Sequence, residues 1–372
     1  AMKAGRITCR ALVAAYLRRI DAYDKNGPAL NAIVAVNPDA GKLAEELDRR
    51  FAQGGPVGPL HCIPVIVKDN FETVGLQSAA GSLALAGVGS TKDAFQVRRI
   101  KEAGAIVLAK SNMAEFAFSP YETVSSILPG YTRNPYDLAR VTAGSSGGTA
   151  AAVAASFGAV GLGTDTGNSI RGPSAHQALA GIRSTMGLTS RAGIVPLNLL
   201  ADIAGPIART MEDAVAVFQV VAGEDPDDPV TAAARGRVAR SYAASLRRDA
   251  LAGARIGVLR QAYERETTDA EVVQLFARAL ADLARAGASI VDPARVEGLD
   301  EIRRPQGSPP CAGFRHDIDR YLAAHGERVP VRSLEQIVKS GRFHPSVQRR
   351  LEMALAAPEN GLDSPACAAD RT

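Results

Sequence analysis

Short apolar runs alternate with segments of helical periodicity along this chain, and no other feature restricts the fold as much. The run "IPVIVK" ends at Lys68 and the run "AIVLAK" ends at Lys110, and the amphipathic segment 93–104 precedes the second run. The same alternation occurs late in the chain, where a helical pattern at 269–287 lies between two short apolar runs. This alternation predicts an α/β fold with a large, mixed, mostly parallel central sheet covered by helices.

Local signals predict two helix starts and one segment of mixed character. Apolar residues at helical spacing predict a helix over Thr8–Tyr23, with Thr8 as its N-cap. Thr210 and Asp213 resemble a capping box for the helical pattern that follows them. Residues 223–250 are charged, and we expect them to begin as a loop and to continue as a helix.

The charge balance gives little support for a polyanionic partner. The 372 residues include 43 Lys and Arg against 39 Asp and Glu, a net charge of +4. This small excess, without a Lys/Arg-rich run, is weak evidence for nucleic acid or an anionic membrane surface. The longest weakly apolar run is too short to cross a bilayer, and no secretory signal pattern is visible. We therefore expect a cytoplasmic protein without nucleic-acid or membrane partners.

The four cysteines, Cys9, Cys62, Cys311 and Cys367, show no CxxC spacing. Their pattern predicts neither a zinc site nor a disulfide framework. Cys62 is expected to act as a small buried apolar residue, because no motif for a nucleophilic cysteine surrounds it.

Lys68 and Lys110 each end an apolar run and are candidates for a catalytic base. Burial disfavours the charged form of a lysine, so a buried lysine can lose its proton near neutral pH. The commoner interpretation is a lysine at a strand end whose ammonium group reaches water. The pattern of the sequence alone does not choose between the two lysines.

The stretch "AGSSGGTAAAVAA" (143–155) is a Gly-rich loop before an Ala-rich helix, which suits binding of an anion or oxyanion. It matches the G-x-S-x-G nucleophile motif of α/β-hydrolases, centred on Ser146. The preceding residues make a poor strand, however, and no motif marks the Asp/Glu and His of a triad. A phosphate-binding P-loop is excluded because no G-K-[ST] closes the loop. Taken alone, the stretch favours a helix start packed tightly on a sheet.

The stretch "GTDTGNSIRGPS" (163–174) places Ser169 behind small and turn-forming residues. Such residues present a side chain beside backbone N–H donors, as a nucleophile requires. None of the five histidines lies in an obvious partner motif, so the residues leave the base open.

These stretches occur in an order that resembles the amidase signature family. Ser145 and Ser169 are 24 residues apart, as that family spaces its two serines. The resemblance runs from about Gly5 to beyond Arg260, and the layout is similar to that of bacterial peptide amidases. The motifs that carry it include "GPALNAIVAVNPDA", "GPLHCIPVIVKDN", "SAAGSLALAG", "GAIVLAKSNMAEFA", "TRNPYDLARVTAGSSGGTAAAVAA", "GLTSRAGIVPL" and "IAGPIARTMEDAV".

The resemblance implies a triad without histidine. Ser169 would be the nucleophile that accepts the acyl group, Ser145 the bridging serine, and Lys68 the base. Members of the family hold the bridging serine with a cis peptide bond. The chemistry is consistent, because a serine hydroxyl needs a base within hydrogen-bond reach, directly or through a relay.

Backbone donors and supporting side chains are implied as well. The oxyanion hole would be formed by the N–H groups of Thr166, Gly167, Asn168 and Ser169. Supporting roles fall to Ser146, Asp165 and Arg171. The family often has Gly at the position of Asn168, and Asn tolerates a left-handed backbone, so we expect the turn to survive.

The implied activity is hydrolysis of a carboxamide to a carboxylic acid and ammonia or an amine, through a serine acyl-enzyme. Small aliphatic or aryl amides and amidated peptides are candidate substrates, no metal or organic cofactor is implied, and we expect a monomer or homodimer. We expect one amidase signature domain over residues 1–372, shortened at its C-terminal end relative to the family. The alternatives are a non-catalytic remnant and a glutamine-hydrolysing amidotransferase A-type subunit.

Overall fold

A computed structural model describes residues 1–302, 313–357 and 365. The chain divides into two compact units. The first comprises residues 1–240 and the described residues from 313 onward, and the second comprises the described residues from 241 to 302. The single domain expected over residues 1–372 stays a prediction.

The first unit contains the central sheet and the helices around it. Its strands are β1 (Ile33–Val36), β2 (Pro64–Lys68), β3 (Ile106–Ser111), β4 (Val160–Asp165), β5 (Ala180–Gly181) and β6 (Ile203–Ala208). Its helices are α1 (Cys9–Ile20), α2 (Ala40–Gly54), α3 (Phe95–Glu102), α4 (Gly147–Ala154), α5 (Arg171–His176) and α6 (Met211–Val221), followed after the second unit by α10 (Phe314–His325), α11 (Leu334–Ser340) and α12 (Gln348–Leu355).

The second unit is a small α/β layer. It contains β7 (Arg255–Gly257), α7 (Arg260–Tyr263), α8 (Ala270–Arg285), β8 (Ser289–Val291) and α9 (Leu299–Ile302). β7 and β8 pair in parallel, and α8 lies between them in sequence, as parallel strands require. The helix and the two strands predicted late in the chain are therefore confirmed.

The sheet of the first unit has the strand order β1-β3-β2-β4-β6-β5. At its centre β2 pairs in parallel with β3 on one side and β4 on the other. The outer pairs are antiparallel, so β1 and β6 run against the direction that the other four strands share. The predicted α/β fold with a mixed, mostly parallel sheet is confirmed.

The centre of the sheet is buried on both faces. Every residue of β2, β3 and β4 is buried, and α4 packs against β2, β4 and β6. Gly148 in α4 allows close approach, because a Cβ there would overlap the carbonyl oxygen of Asn112 just after β3. The small residues of "GSSGGTAAA" thus bring the start of α4 directly onto the ends of the central strands.

Both predicted helix starts are present. Thr8 caps α1, with its hydroxyl accepting the Ala11 N–H. Thr210 caps α6 in the same way through the Asp213 N–H, while its hydroxyl donates to the Asp213 carboxylate. That second contact differs from a full capping box, in which the acidic side chain would accept the cap's backbone N–H.

Two expectations were wrong. Residues 223–250 form turns and two short 3₁₀ segments, Pro229–Ala234 and Ala243–Ser245, and the helix expected in their later part is absent from these described residues. Cys9 and Cys62 form a buried disulfide between the start of α1 and the loop before β2. Two cysteines 53 residues apart carry no pairing signal, and the fold brings them together.

The helices of the described residues do not offer the combination of length and apolar character that crossing a bilayer needs. Cytoplasmic localisation stays a prediction, and disulfides persist mainly in oxidising compartments. The other two cysteines of the chain, Cys311 and Cys367, lie outside the described residues.

Candidate active site

Lys68 is the last residue of β2, and its side chain is fully buried. Its Nζ donates to the Ser145 hydroxyl at 2.8 Å and to the Thr164 hydroxyl at 2.7 Å. The two partners come from the loop before α4 and from β4, the strand beside β2. The parallel strands thus deliver Lys68 and Thr164 to the same edge of the sheet, where the loop adds Ser145.

Burial lowers the pKa of Lys68 from 10.5 to about 7, because removal from water disfavours the ammonium form. The carboxylates of Asp165 and Asp202 oppose that shift. A substantial fraction of Lys68 is therefore neutral at physiological pH and able to accept a proton.

Lys110 is equally buried but belongs to a different environment. Its ammonium group donates to the Phe71 carbonyl oxygen, with the Thr73 and Ser78 hydroxyls farther away at 3.4 Å each. Burial also lowers the pKa of Lys110, with Asp69 opposing. Only Lys68 among the two candidate lysines contacts a serine of the Gly-rich loop.

Ser145 and Ser146 differ in their surroundings, although both are fully buried. The peptide bond between Gly144 and Ser145 is cis, as the resemblance implied for the bridging serine. The Ser146 hydroxyl donates to the Thr164 carbonyl oxygen at 3.1 Å and accepts the Thr164 N–H at 3.3 Å. Ser146 therefore fastens the start of α4 to β4, whereas Ser145 faces Lys68.

The turn between β4 and α5 carries Ser169, whose carbonyl oxygen accepts the Ser146 N–H at 3.3 Å. Ser169 is 5% exposed. Among the described residues, its hydroxyl makes no hydrogen bond, and the N–H groups of the whole turn also lack partners. These N–H groups belong to Thr166, Gly167, Asn168 and Ser169. Four successive unpaired donors beside a serine hydroxyl form a potential anion site.

Asp165 braces the C-terminal side of this turn. Its fully buried carboxylate accepts the N–H groups of Ile170 and Arg171 at 3.0 and 3.2 Å. It also pairs with the guanidinium groups of Arg171 and Arg183, each at 3.1 Å. Burial alone would raise the pKa of Asp165, but these hydrogen bonds and charges hold it below its usual value. Asp165 and Arg171, the two charged residues assigned supporting roles from the sequence, thus contact each other, and Arg183 is a partner that sequence reasoning missed.

The expected left-handed backbone at Asn168 is absent, because neither Asn168 nor Gly167 has a positive φ. The side chain of Asn168 lies against Gly172, where a Cβ would overlap it, and its Nδ2 is 3.5 Å from the Pro120 carbonyl oxygen. The turn therefore holds its shape through side-chain hydrogen bonds and close packing.

Two further residues were missed by sequence reasoning. Thr164 contacts Lys68, and its position within "GTDTGNS" was the available signal. Asp202 precedes β6 and accepts the Thr166 hydroxyl at 2.5 Å, and no motif marks it. Both line a small cavity of about 10 Å³, enough for about one water molecule.

A serine–histidine arrangement finds no support in the geometry. All five histidines lie within the described ranges, and there none of them hydrogen-bonds to Ser145, Ser146 or Ser169. A nucleophile elbow centred on Ser146 would need such a base. Across the same residues, no group of three or more His, Cys, Asp or Glu side chains is arranged to hold a metal ion.

Comparison with known sequences identifies one family. The family described as Amidase matches residues 11–364. The A-type subunit of glutamyl-tRNA(Gln) amidotransferase from Deinococcus deserti is 35% identical over 371 residues, which cover 97% of this chain and 72% of that protein. The protein of the same name from Carboxydothermus hydrogenoformans is 42% identical over 232 residues, which cover 62% of this chain and 47% of that protein.

Solved structures agree with this result. The native peptide amidase from Stenotrophomonas maltophilia has a TM-score of 0.90 at 38% identity, and the match covers 100% of this chain and 76% of that one. The A-type subunit of glutamyl-tRNA(Gln) amidotransferase from Thermotoga maritima has a TM-score of 0.67 at 26% identity, covering 94% of this chain and 72% of that one.

Proposed function

The chain belongs to the amidase family of amide C–N hydrolases, and we propose that it cleaves a carboxamide through a Ser169–Ser145–Lys68 relay. The observation that carries this proposal is the hydrogen bond of 2.8 Å from a fully buried lysine to Ser145. A lysine with a pKa of about 7 is a competent base near neutral pH.

In the first half-reaction, the Ser169 hydroxyl oxygen attacks the amide carbonyl carbon. Its proton passes to the Ser145 oxygen while the proton of Ser145 passes to the Lys68 amine. The carbonyl oxygen becomes an oxyanion that accepts hydrogen bonds from the N–H groups of the turn 166–169. When the C–N bond breaks, the proton returns through Ser145 to the leaving nitrogen, and an ester of Ser169 remains.

In the second half-reaction, water attacks the ester carbonyl and gives up its proton along the same relay. Collapse of the second tetrahedral intermediate breaks the bond to the Ser169 oxygen, which recovers its proton from Ser145. The carboxylic acid leaves, and Lys68 is neutral again. The cycle consumes one water, needs no cofactor, and works with Ser145 as both donor and acceptor.

The substrate that we propose is the terminal carboxamide of a peptide, with the protein acting alone as a monomer or homodimer. The support is the TM-score of 0.90 with a peptide amidase over the whole described fold, against 0.67 with an amidotransferase subunit. The second candidate is a glutamine-hydrolysing subunit of an amidotransferase, favoured by the names of the similar curated proteins.

Ammonia release distinguishes these candidates. We expect the wild-type protein to release ammonia from C-terminally amidated peptides without partner chains, and the matched Ser169→Ala variant to release none above background. Turnover of glutamine, and not of peptide amides, would favour the amidotransferase subunit. Equal rates for Ser169→Ala and wild type would contradict the proposed nucleophile. If the wild-type protein releases no ammonia from any amide and a fluorophosphonate probe does not label Ser169, a non-catalytic remnant would be favoured.

A further inference from the structure

The turn with four unpaired N–H groups is held at both ends by buried carboxylates. Asp165 holds its C-terminal end through the N–H groups of Ile170 and Arg171. At its N-terminal end, the Thr166 hydroxyl donates to Oδ1 of Asp202 at 2.5 Å. Oδ2 of Asp202 is occupied separately by the N–H groups of Leu197 and Asn198, at 2.8 and 2.9 Å.

The sheet register explains why Asp202 reaches Thr166. β4 and β6 are antiparallel, and Asp165 is paired with Ile203. One step beyond this pair, the chain leaves β4 at Thr166 and enters β6 from Asp202, so the two residues meet at the end of the ladder. Asp202 is 8% exposed, and its carboxylate is fixed by the two backbone donors.

We infer that Asp202 is a positioning residue for the proposed hydrolysis, with two separable actions. Its Oδ1 tethers Thr166 and thereby aims the first N–H of the anion site, and its carboxylate acts on Lys68 across the small cavity that Asp202 lines together with Thr164, the hydroxyl partner of Lys68. This inference rests on the proposed function. Nothing in the sequence pattern around Asp202 indicates either action.

The charges around Lys68 and Asp202 set the sign of the second action. Asp165 from β4 and Asp202, the residue just before β6, both raise the pKa of Lys68, against the larger effect of burial. The pKa of Asp202 itself is raised by burial and by Asp317 of α10, and Arg191 is a further charged group near it. Loss of the charge at Asp202 should therefore lower the pKa of Lys68.

Two substitutions separate the tether from the charge. Asp202→Asn removes the charge but keeps the contact, because the amide oxygen can accept both backbone N–H groups while the NH₂ group donates to Thr166. Thr166→Val removes the tether and leaves the charge. Thr166→Ser is the conservative control, because it keeps the hydroxyl.

The experiment measures kcat, KM and the pH profile of kcat/KM for peptide-amide hydrolysis by the full chain. For Asp202→Asn we expect the rise of kcat/KM with pH to occur at lower pH than in the wild-type protein. The value of kcat/KM at the plateau should stay within a few-fold of wild type. For Thr166→Val we expect kcat lower by about 10- to 100-fold, with KM and the pH of that rise little changed. Thr166→Ser should recover most of that kcat.

If folded Thr166→Val has the kcat of the wild-type protein, the proposed tether is wrong. If kcat/KM of folded Asp202→Asn rises at the same pH as that of the wild-type protein, the proposed effect of the charge is wrong. If Asp202→Asn does not fold, as judged by circular dichroism, the two Thr166 variants still decide the tether. Failure of the proposed function looks different, because the wild-type protein itself would then show no Ser169-dependent ammonia release.

Discussion

At the scale of single residues, the burial of Lys68 gives a measurable pH dependence. The base must be neutral to accept a proton, and burial lowers its pKa to about 7. We therefore expect kcat/KM to rise with pH through about 7 and then to level off. Initial rates of ammonia release between pH 5 and 9, a range of about two units either side of that pKa, provide the measurement.

Two lysine variants provide the control. Arginine stays protonated at these pH values, so Lys68→Arg should be inactive while its circular dichroism spectrum stays that of the folded protein. Lys110→Arg, if folded, should retain the rising limb, because Lys110 contacts the Phe71 carbonyl oxygen and not Ser145. An active Lys68→Arg protein would exclude Lys68 as the base.

The adjacent serines Ser145 and Ser146 should respond very differently to alanine. Ser145 faces Lys68 and passes a proton in both directions in the proposed relay, so Ser145→Ala should lower kcat by about 100-fold or more. Ser146 bonds the backbone of Thr164, so Ser146→Ala should mainly lower the midpoint of urea denaturation. Comparable losses of kcat in the two variants would place the relay elsewhere.

The site residues divide into those that local motifs can reveal and those that only the fold reveals. "GSSGG" and "GTDTGNS" mark a loop and a turn with candidate serines, and the resemblance selected Ser145 and Ser169. Lys68 and Lys110 look alike in sequence. The register pairs Lys110 with Val67 and Lys68 with Ser111, so the two lysines project to opposite faces of the sheet. Asp202 was missed because it reaches the site through the antiparallel pairing of β4 with β6.

At the scale of elements, periodicity located the helices well where one face is apolar. The predicted helix at 269–287 corresponds to α8, and the one at 93–104 to α3. Residues 223–250 misled the prediction, because Gly236 in their middle has a positive φ of 73°, a backbone conformation that an α-helix does not contain. Strand order and direction could not be read from periodicity, which carries no information on pairing partners.

The disulfide between Cys9 and Cys62 ties α1 to the loop before β2. A cross-link that closes 53 residues restricts the unfolded chain by up to about 4 kcal/mol, so its loss should destabilise the first unit. We expect the double variant Cys9→Ala/Cys62→Gly to unfold at lower urea concentration than wild type. Glycine suits position 62 because Cys62 has φ of 60°.

Dithiothreitol provides the matched test of the disulfide. The reductant should lower the unfolding midpoint of the wild-type protein and leave that of the double variant unchanged. If dithiothreitol shifts the unfolding midpoints of the two proteins equally, the disulfide is not supported. The same holds if the wild-type midpoint does not shift although the reductant was present while the protein was unfolded in urea.

At the scale of the whole molecule, the buried lysine that we propose as the base, Lys68, lowers the stability of the fold. Folding lowers the pKa of Lys68 from 10.5 to about 7, so between these pH values the unfolded chain binds a proton that the folded chain releases. The free energy of unfolding contributed by Lys68 therefore rises with pH across this window and is lost as pH falls toward 7. Lys68→Met lacks this dependence.

We expect the stability difference, Lys68→Met minus wild type, to fall as pH rises from 7 to 10.5, by at most about 1.4 kcal/mol per pH unit. Urea denaturation of both proteins at several pH values measures it, and the contribution of Lys110 cancels because both proteins contain it. A difference that is constant over this range would mean that Lys68 is not desolvated in the folded protein.

The residues that form the candidate site span Lys68 to Asp202 and all belong to the first unit. Ser145 and Ser169 are separated in sequence by α4 and β4. The fold brings their two stretches together, because the Ser146 N–H donates to the Ser169 carbonyl oxygen. The central claim of the proposed function is that Ser169 carries the acyl group. The roles proposed for Ser145, Lys68 and the N–H groups of the turn 166–169 all depend on it.

The most direct measurement is the mass of the acyl-enzyme. The protein is mixed with a slowly deacylated ester of a peptide acid, quenched in acid and digested with trypsin. Cleavage after Arg140 and Arg171 releases residues 141–171 as one peptide that carries Ser145, Ser146, Ser156 and Ser169, so fragment ions must locate the acyl group. We predict the added mass on Ser169 in the wild-type protein and none in Ser169→Ala. An acyl group on Ser146, or one that persists in Ser169→Ala, would contradict the account.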